Sequence, residues 1–193
     1  MKRLHAILLV LTLLVSQAIF ANEAETTEEG PIQVIQSTIV KLNQLTTGTY
    51  SPQMMNFLVE QEIVPLFDFD YIADEVLMVA NTSFGEDEVK FFSNKLKNNI
   101  MGILLNKLAQ AKTSSFRFIS ARPLIGGNIM VRLKVNGYSP YGIYIDLLFH
   151  QSKVKKWQIF DVVLNNDSLI NYYQKMVLVK VRRYGVYGML GRI

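Results

Sequence analysis

Apolar residues recur every three or four positions through the first half of the chain, which is the period of an amphipathic helix. The pattern predicts a first helix over residues 31–46, started by Pro31. A second helix begins at Ser51-Pro52 and ends at Pro65, and a third covers residues 71–79.

A longer fourth helix is predicted from a capping sequence. Ser83 and Glu86 have the S-x-x-E spacing of a capping box. In this motif the side chain of each residue accepts a hydrogen bond from the backbone N–H of the other. The helix then extends to about residue 111. Its apolar stripe consists of Phe92, Leu96, Ile100, Ile103, Leu104 and Leu108.

After residue 115 the apolar period shortens to two, which is the period of β-strands. Four strands are predicted, over residues 116–121, 129–135, 141–150 and 156–163. Gly126-Gly127 and Asn136-Gly137 are turn sequences, and connections this short join antiparallel neighbours. The second half of the chain therefore predicts an antiparallel meander, followed by a final helix over residues 169–184.

The order of four helices, four strands and one helix predicts an α+β fold with helices on one face of a curved sheet. The strand from Tyr141 to Phe149 has an apolar residue at every odd position. An apolar sheet face opposite amphipathic helices makes either a filled core or a core with a cavity. Because protein interiors usually pack densely, the pattern alone favours the filled core.

The first 21 residues have the layout of a secretory signal. A positively charged start precedes an apolar run over residues 6–15, and small residues follow up to Ala21. The apolar run is shorter than the roughly 20 residues that a membrane span needs. We expect cleavage after Ala18 or Ala21, and therefore an exported protein.

The remaining chain is expected to form a single domain. Residues 22–30 are polar and are predicted to be a disordered leader, which leaves residues 31–193 as the folded unit. Loss of Lys2 and Arg3 with the signal lowers the formal net charge from +4 to +2. The chain has no cysteine, so disulfides and a lipoprotein anchor are excluded.

The charged residues are unevenly distributed along the chain. Residues 22–92 contain 13 acidic residues and two lysines, whereas residues 93–193 contain 16 basic residues and three aspartates. This division predicts a surface with an electrostatic orientation. The alternative is chance clustering on solvated faces.

Candidate catalytic residues are few. His150 is the only histidine beyond the signal, so thiolate zinc sites, Cys–His dyads and two-histidine metal sites are excluded. The sequence also has no nucleophile elbow, P-loop or dinucleotide-binding motif. Asp68, Asp70, Asp74 and Glu75 could form an acid/base pair or a cation site. The favoured interpretation is that these acids stabilise a helix N-terminus.

Two parts of the chain together resemble a known family. The last quarter has a strand with the sequence KWQIFDVV (residues 156–163), a polar corner at residues 165–168, and an apolar and basic helix ending at Arg182-Arg183-Tyr184-Gly185. Residues 57–67 form a helix that ends in an acidic, apolar and proline run, and Asp70-Tyr71-Ile72-Ala73 follows it. This order, over most of residues 31–193, is similar to that of the periplasmic phospholipid-binding proteins of the MlaC family.

The resemblance implies a fold and a function. The fold would be an NTF2-like or cystatin-like cone, with N-terminal helices and C-terminal helices around a four-stranded sheet. The function would be to carry glycerophospholipids across the periplasm between an outer-membrane lipoprotein complex and an inner-membrane ABC transporter with a substrate-binding ring. Such a carrier is not an enzyme and needs no cofactor, metal or nucleic acid.

The resemblance also favours a lipid cavity over a filled core, and Met78, Met101 and Met130 could adapt such a cavity to different chains. At the corner of the last quarter, Asn165-Asn166 replaces the acidic residue and glycine common in the family. Asparagine tolerates left-handed backbone, so the corner is expected to be kept. The residues expected to bind lipid are Leu66, Phe67, Tyr71, Phe92, Leu96, Ile100, Ile143, Ile145, Leu147, Ile159, Val163, Tyr173 and Val177.

The residues expected to dock on partners are Lys175, Arg182 and Arg183, which share the side of the last helix opposite its apolar residues. Two alternatives remain open. One is an NTF2-like enzyme in which Asp70, Tyr71 or His150 lines a polar pocket for a small molecule. The other is an adaptor module whose core is full and which binds no ligand.

Overall fold

The computed structural model describes residues 30–48, 50–110, 115–137 and 139–193. The signal and all of the leader except Gly30 lie outside these residues. In chain order the helices and strands are α1 (Pro31–Thr47), α2 (Pro52–Glu62), α3 (Phe69–Leu77), α4 (Glu86–Gln110), β1 (Ser115–Pro123), β2 (Ile129–Asn136), β3 (Ile143–Gln151), β4 (Trp157–Leu164), β5 (Asp167–Ser168) and α5 (Leu169–Met189). Short 3₁₀ turns cover Val64–Leu66, Met78–Ala80 and Ile125–Gly127.

The strands form one antiparallel sheet in the order β1-β2-β3-β4-β5. The predicted α+β class and four-stranded meander are confirmed, and the sheet has in addition the two-residue strand β5. This strand exists because Asn165 and Asn166 turn the chain back on β4, so that Val163 pairs with Ser168. Both asparagines have left-handed backbone, with φ of 51° and 68°, as their residue type permits.

Side-chain caps set the start of three helices. Ser51 accepts a hydrogen bond from the backbone N–H of Met54, and Ser168 accepts one from that of Asn171. Asp68 caps α3 in the same way by accepting from Tyr71. These contacts agree with the interpretation of Asp68 as a helix-terminal acid.

The start of α4 differs from the predicted capping box at Ser83 and Glu86. The helix begins at Glu86, and the carboxylate of Glu88 accepts a hydrogen bond from the backbone N–H of Gly85 at 2.8 Å. The capping acid is therefore two residues later than predicted, because the run of acids after Gly85 offers more than one residue for this role. At the other end of the chain, α5 is interrupted at Gly185, whose φ is 72°.

The buried apolar side chains form two clusters. The helical cluster lies among α2, α3, α4, α5 and the end of α1, and its members without exposed surface include Val59, Ile72, Val76, Phe92, Leu96, Tyr173, Val177 and Met189. The sheet cluster lies between the start of α1 and the sheet and consists of Ile35, Val131, Leu133, Leu147, Phe149 and Ile159. No helix within the described ranges has the length and apolar character needed to cross a membrane.

Candidate functional site

Five of the predicted lipid-binding residues lie in the helical cluster. They are Phe92, Leu96, Ile100, Tyr173 and Val177. The helical spacing of these residues brings all five together, as the sequence predicted for the stripe of α4. Tyr173 also connects two helices, because its hydroxyl donates a hydrogen bond to Oδ1 of Asn99 at 2.6 Å. Burial raises the pKa of Tyr173 to about 12, and the neighbouring Tyr172 adds to this effect.

Three more of the predicted residues lie in or against the sheet cluster. Leu147 and Ile159 are buried members of it, and Ile145 packs against it half-buried. These three lie on the side of the sheet that Ile35 of α1 covers, whereas the helical cluster lies among α2, α3, α4, α5 and the end of α1. The predicted residues therefore form two groups and not one continuous lining.

Val163 does not lie on the apolar side of the sheet, although strict alternation from Ile159 places it there. The pairing of β3 with β4 shifts at this point, since Leu148 pairs with Asp161 while Phe149 pairs with Ile159. Phe160 is the extra residue of this bulge, so Val162 and not Val163 packs on the sheet cluster. A bulge of this kind leaves no mark in the apolar pattern.

The segment that joins the two clusters is Val64–Asp68, here called the junction segment. Leu66 and Phe67 pack against both clusters. The segment is attached to the edge of β4, because Phe67 pairs in parallel with Ile159 and the N–H of Asp68 donates to the carbonyl of Ile159 at 3.0 Å. The side-chain amide of Gln158 donates to the carbonyl of Phe67 at 3.1 Å.

Tyr71 lies outside both clusters, on the ring of His150. The two ring centroids are 4.4 Å apart, and Phe160 packs edge-on against both rings. Nε2 of His150 lies 3.1 Å from Oδ2 of Asp68, a contact that the sequence did not predict. Burial raises the pKa of Tyr71, and the charge of Glu75 adds to the effect.

The polar residues named for the enzyme alternative do not all point to one place. Tyr71 and His150 meet, whereas the carboxylate of Asp70 accepts a hydrogen bond from the hydroxyl of Ser93 on α4 at 2.7 Å. Among the residues that the structure describes, no group of three His, Asp or Glu side chains is placed to hold a metal ion.

The predicted docking residues Lys175, Arg182 and Arg183 are all exposed on α5. They lie opposite the buried Tyr173 and Val177, as the helical period predicted. The exposed ring of Tyr184 extends this surface, since the guanidinium of Arg192 lies 4.8 Å from its centroid. A hydrogen bond from Arg183 lowers the pKa of Tyr184. These exposed basic residues of α5 are here called the basic helix face.

The surface formed by the described residues includes two open concavities. One has a volume of about 440 Å³ between the start of α4 and the end of α5, and Phe91, Tyr187 and Arg192 line it. The other has a volume of about 300 Å³ at one end of the sheet, and its lining includes the predicted residues Ile143 and Val163. Neither lies between the helical and sheet clusters, where the side chains pack against one another.

Comparisons with known proteins give a match to a family model and matches to solved structures. The family model described as MlaC protein matches residues 32–193 of this chain. No curated protein matches it. A solved structure with a similar fold is that of the phospholipid-binding protein from Ralstonia solanacearum in complex with a phospholipid. The two chains share 18% sequence identity and superpose with a TM-score of 0.64, over 83% of this chain and 90% of the Ralstonia chain.

Proposed function

The chain belongs to the MlaC family, and from this premise we propose that it is a periplasmic phospholipid carrier. The observation that supports the proposal most strongly is the family match over residues 32–193, which includes every predicted lipid-binding residue. The similar fold of the Ralstonia protein, solved with a phospholipid, supports it independently. In this role the chain binds and delivers lipid without changing it chemically.

The hydrophobic effect explains why such a carrier is needed. Moving one methylene group from an apolar site into water costs about 0.8 kcal/mol, so the roughly 30 methylenes of a phospholipid cost on the order of 20 kcal/mol. A free lipid therefore almost never crosses an aqueous compartment. For the same reason the carrier cannot release its lipid into water at a useful rate, and it must dock on a partner that offers an apolar path.

We infer that the acyl chains enter between the helical cluster and the sheet cluster. Within the junction segment, Leu66 and Phe67 pack against both clusters. The two apolar regions can therefore open into one at these residues. Opening separates helices from the sheet while the hydrogen bonds of each element stay intact. The proposed lining residues are Phe92, Leu96, Ile100, Tyr173 and Val177 on the helical side and Ile145, Leu147 and Ile159 on the sheet side.

The proposed partners are an outer-membrane lipoprotein complex and an inner-membrane ABC transporter with a substrate-binding ring. Docking uses the basic helix face, since Lys175, Arg182 and Arg183 are exposed and do not belong to the helical cluster. Attraction to an acidic partner acts over about 8–10 Å at physiological salt and speeds association more than it tightens the complex.

The experiment that tests this function is organic extraction of the natively purified protein, followed by mass spectrometry of the extract. We expect glycerophospholipid in near-stoichiometric amount. An extract with a polar small molecule would support the enzyme alternative instead, with Tyr71 and His150 as the first residues to substitute. An extract without ligand, together with no uptake of lipid from vesicles, would leave the adaptor module.

A further inference from the structure

The two outer hairpin turns of the meander lie at the same end of the sheet. Strand register places them there, because Pro123 pairs with Ile129, Ile129 pairs with Phe149, and Phe149 pairs with Ile159 in one row across the sheet. The turn at residues 124–128 joins β1 to β2 just beyond this row, and the turn at residues 152–156 joins β3 to β4. We call this pair of turns the hairpin end.

Each turn of the hairpin end has an aliphatic side chain at its tip. Ile125 is 98% exposed and Val154 is 72% exposed. A backbone hydrogen bond closes each turn: the N–H of Leu124 donates to the carbonyl of Asn128, and that of Ser152 donates to the carbonyl of Lys156, each at 2.8 Å. A single exposed aliphatic residue is ordinary on a protein surface, but two at the tips of adjacent turns form one projecting surface.

Basic residues surround the two tips. Arg122 precedes the first tip, and Lys153, Lys155 and Lys156 surround the second, all with exposed side chains. Residues 122–128 and 152–156 contain no acidic residue. Lys153 interacts electrostatically with the carboxylate of Asp74 on α3. Lys155 and Lys156 have exposed side chains beside the second tip.

We propose that the hairpin end binds the surface of an anionic phospholipid bilayer. A reversible membrane-surface site has two features. Its aliphatic side chains enter the interface between headgroups and acyl chains, and its lysines reach the charges of the headgroups. Charge complementarity selects this occupant, because an anionic bilayer offers both negative charge and an apolar layer a few ångströms below it. The site places the carrier directly on the lipid surface, in addition to any protein partner, and does not depend on which lipid the protein carries.

Vesicle flotation measures this binding, with vesicles of equal parts phosphatidylglycerol and phosphatidylcholine compared with phosphatidylcholine alone. We expect the full-length mature protein to float with the anionic vesicles at low salt and to dissociate as salt is raised. Lys155→Glu with Lys156→Glu should weaken binding at least 25-fold, about fivefold for each lysine. Ile125→Asp and Val154→Asp should each weaken it about tenfold.

Matched control variants lie elsewhere on the molecule. Tyr141→Asp changes a side chain that is 89% exposed in the turn at the opposite end of the sheet. Lys90→Glu with Lys95→Glu reverses the same amount of charge on the exposed surface of α4. Both controls should bind anionic vesicles with an affinity within about twofold of that of the unmodified protein, once the small effect of the changed net charge is subtracted.

The fluorescence of Trp157 provides a second measurement, which detects insertion into the bilayer and does not respond to electrostatic attraction alone. Trp157 is the only tryptophan in the chain and directly follows Lys156. Phosphatidylcholine brominated near the headgroup, mixed with phosphatidylglycerol, should quench its fluorescence, and Ile125→Asp should reduce the quenching. Absence of binding to anionic vesicles, or equal loss of binding in the Tyr141 and Ile125 variants, would overturn the proposal. The proposed carrier function would be unaffected by that result, because it is tested by the lipid that co-purifies with the protein.

Discussion

At the scale of single residues, Tyr173 offers the clearest prediction. It has no exposed surface, and its hydroxyl donates a hydrogen bond to Asn99 across the helical cluster. Tyr173→Phe keeps the ring but leaves the amide oxygen of Asn99 without this donor, so we expect the free energy of unfolding to fall by about 1–2 kcal/mol. Urea denaturation at pH 7 measures the change. Tyr172→Phe is the control, because Tyr172 is 57% exposed and its loss should change stability by less than about 0.5 kcal/mol.

The same residue predicts a dependence of stability on pH. The folded-state pKa of Tyr173, about 12, lies above the ordinary value of 10.0, so folding favours the neutral phenol. Its contribution is complete below pH 10 and is lost as the pH rises from 10 toward 12. Over this range the unmodified protein should lose stability more steeply than Tyr173→Phe. Equal slopes in the two proteins would show that the phenol titrates alike in the folded and unfolded states.

At the scale of helices and strands, the sequence predicted most of the fold because apolar period and turn residues act locally. The helical period gave the buried stripe of α4 and the buried side of α5, and glycine and asparagine gave the corners of the meander. The bulge at Phe160 could not be predicted, because its cause is the pairing of β4 with β3 and with the junction segment. β5 was missed for a similar reason, since two residues are too short for a period.

The candidate site was only partly predictable, because it depends on how the helices and strands pack against one another. Periodicity identifies which side of an element is apolar, and it placed eight of the predicted residues in one or other cluster. It does not say which apolar sides face one another. The division into a helical and a sheet cluster, joined at Leu66 and Phe67, follows from how α1 crosses the sheet and is therefore a property of the tertiary structure.

The alternating sides of β3 provide a test of the proposed lipid region. Ile145 packs half-buried on the sheet cluster, and its neighbour Tyr144 projects from the other side of the strand with 51% exposure. Ile145→Glu should reduce co-purifying phospholipid strongly, because an ionised carboxylate is costly beside acyl chains. Folding should be largely kept, since the residue lies at the margin of the cluster. Tyr144→Glu should retain lipid. Complete unfolding of Ile145→Glu would assign Ile145 to the core and not to a lipid region.

At the scale of the whole molecule, the proposed function requires export. The positively charged start, the apolar run over residues 6–15 and the small residues up to Ala21 predict a mature chain that begins at Ile19 or Asn22. Intact-mass measurement of the protein in a periplasmic extract decides between these two starts. A mass that still includes residues 1–21 would contradict the signal-peptide prediction and would require another route for the protein to meet both membranes.

The division of charge along the chain belongs to the same scale. Most acidic residues lie in residues 22–92 and most basic residues in residues 93–193, and the fold displays part of the basic half on the outer side of α5. The position of Arg182 and Arg183 near the end of α5 is also favourable for the helix dipole, which gives these residues a second role besides docking. Kinetics can separate the two roles, because attraction between proteins changes the association rate and is screened by salt.

Arg182→Glu with Arg183→Glu should therefore slow lipid exchange with the partner complexes, most at low salt, and should leave the amount of co-purifying lipid unchanged. We expect a decrease of about tenfold or more in the exchange rate at low ionic strength, and convergence with the unmodified protein as salt is raised. Lys90→Glu with Lys95→Glu is the matched control, since it reverses equal charge on α4 and leaves Lys175, Arg182 and Arg183 unchanged. If exchange is equally fast in both double variants at every salt concentration, Arg182 and Arg183 act only on the end of their own helix.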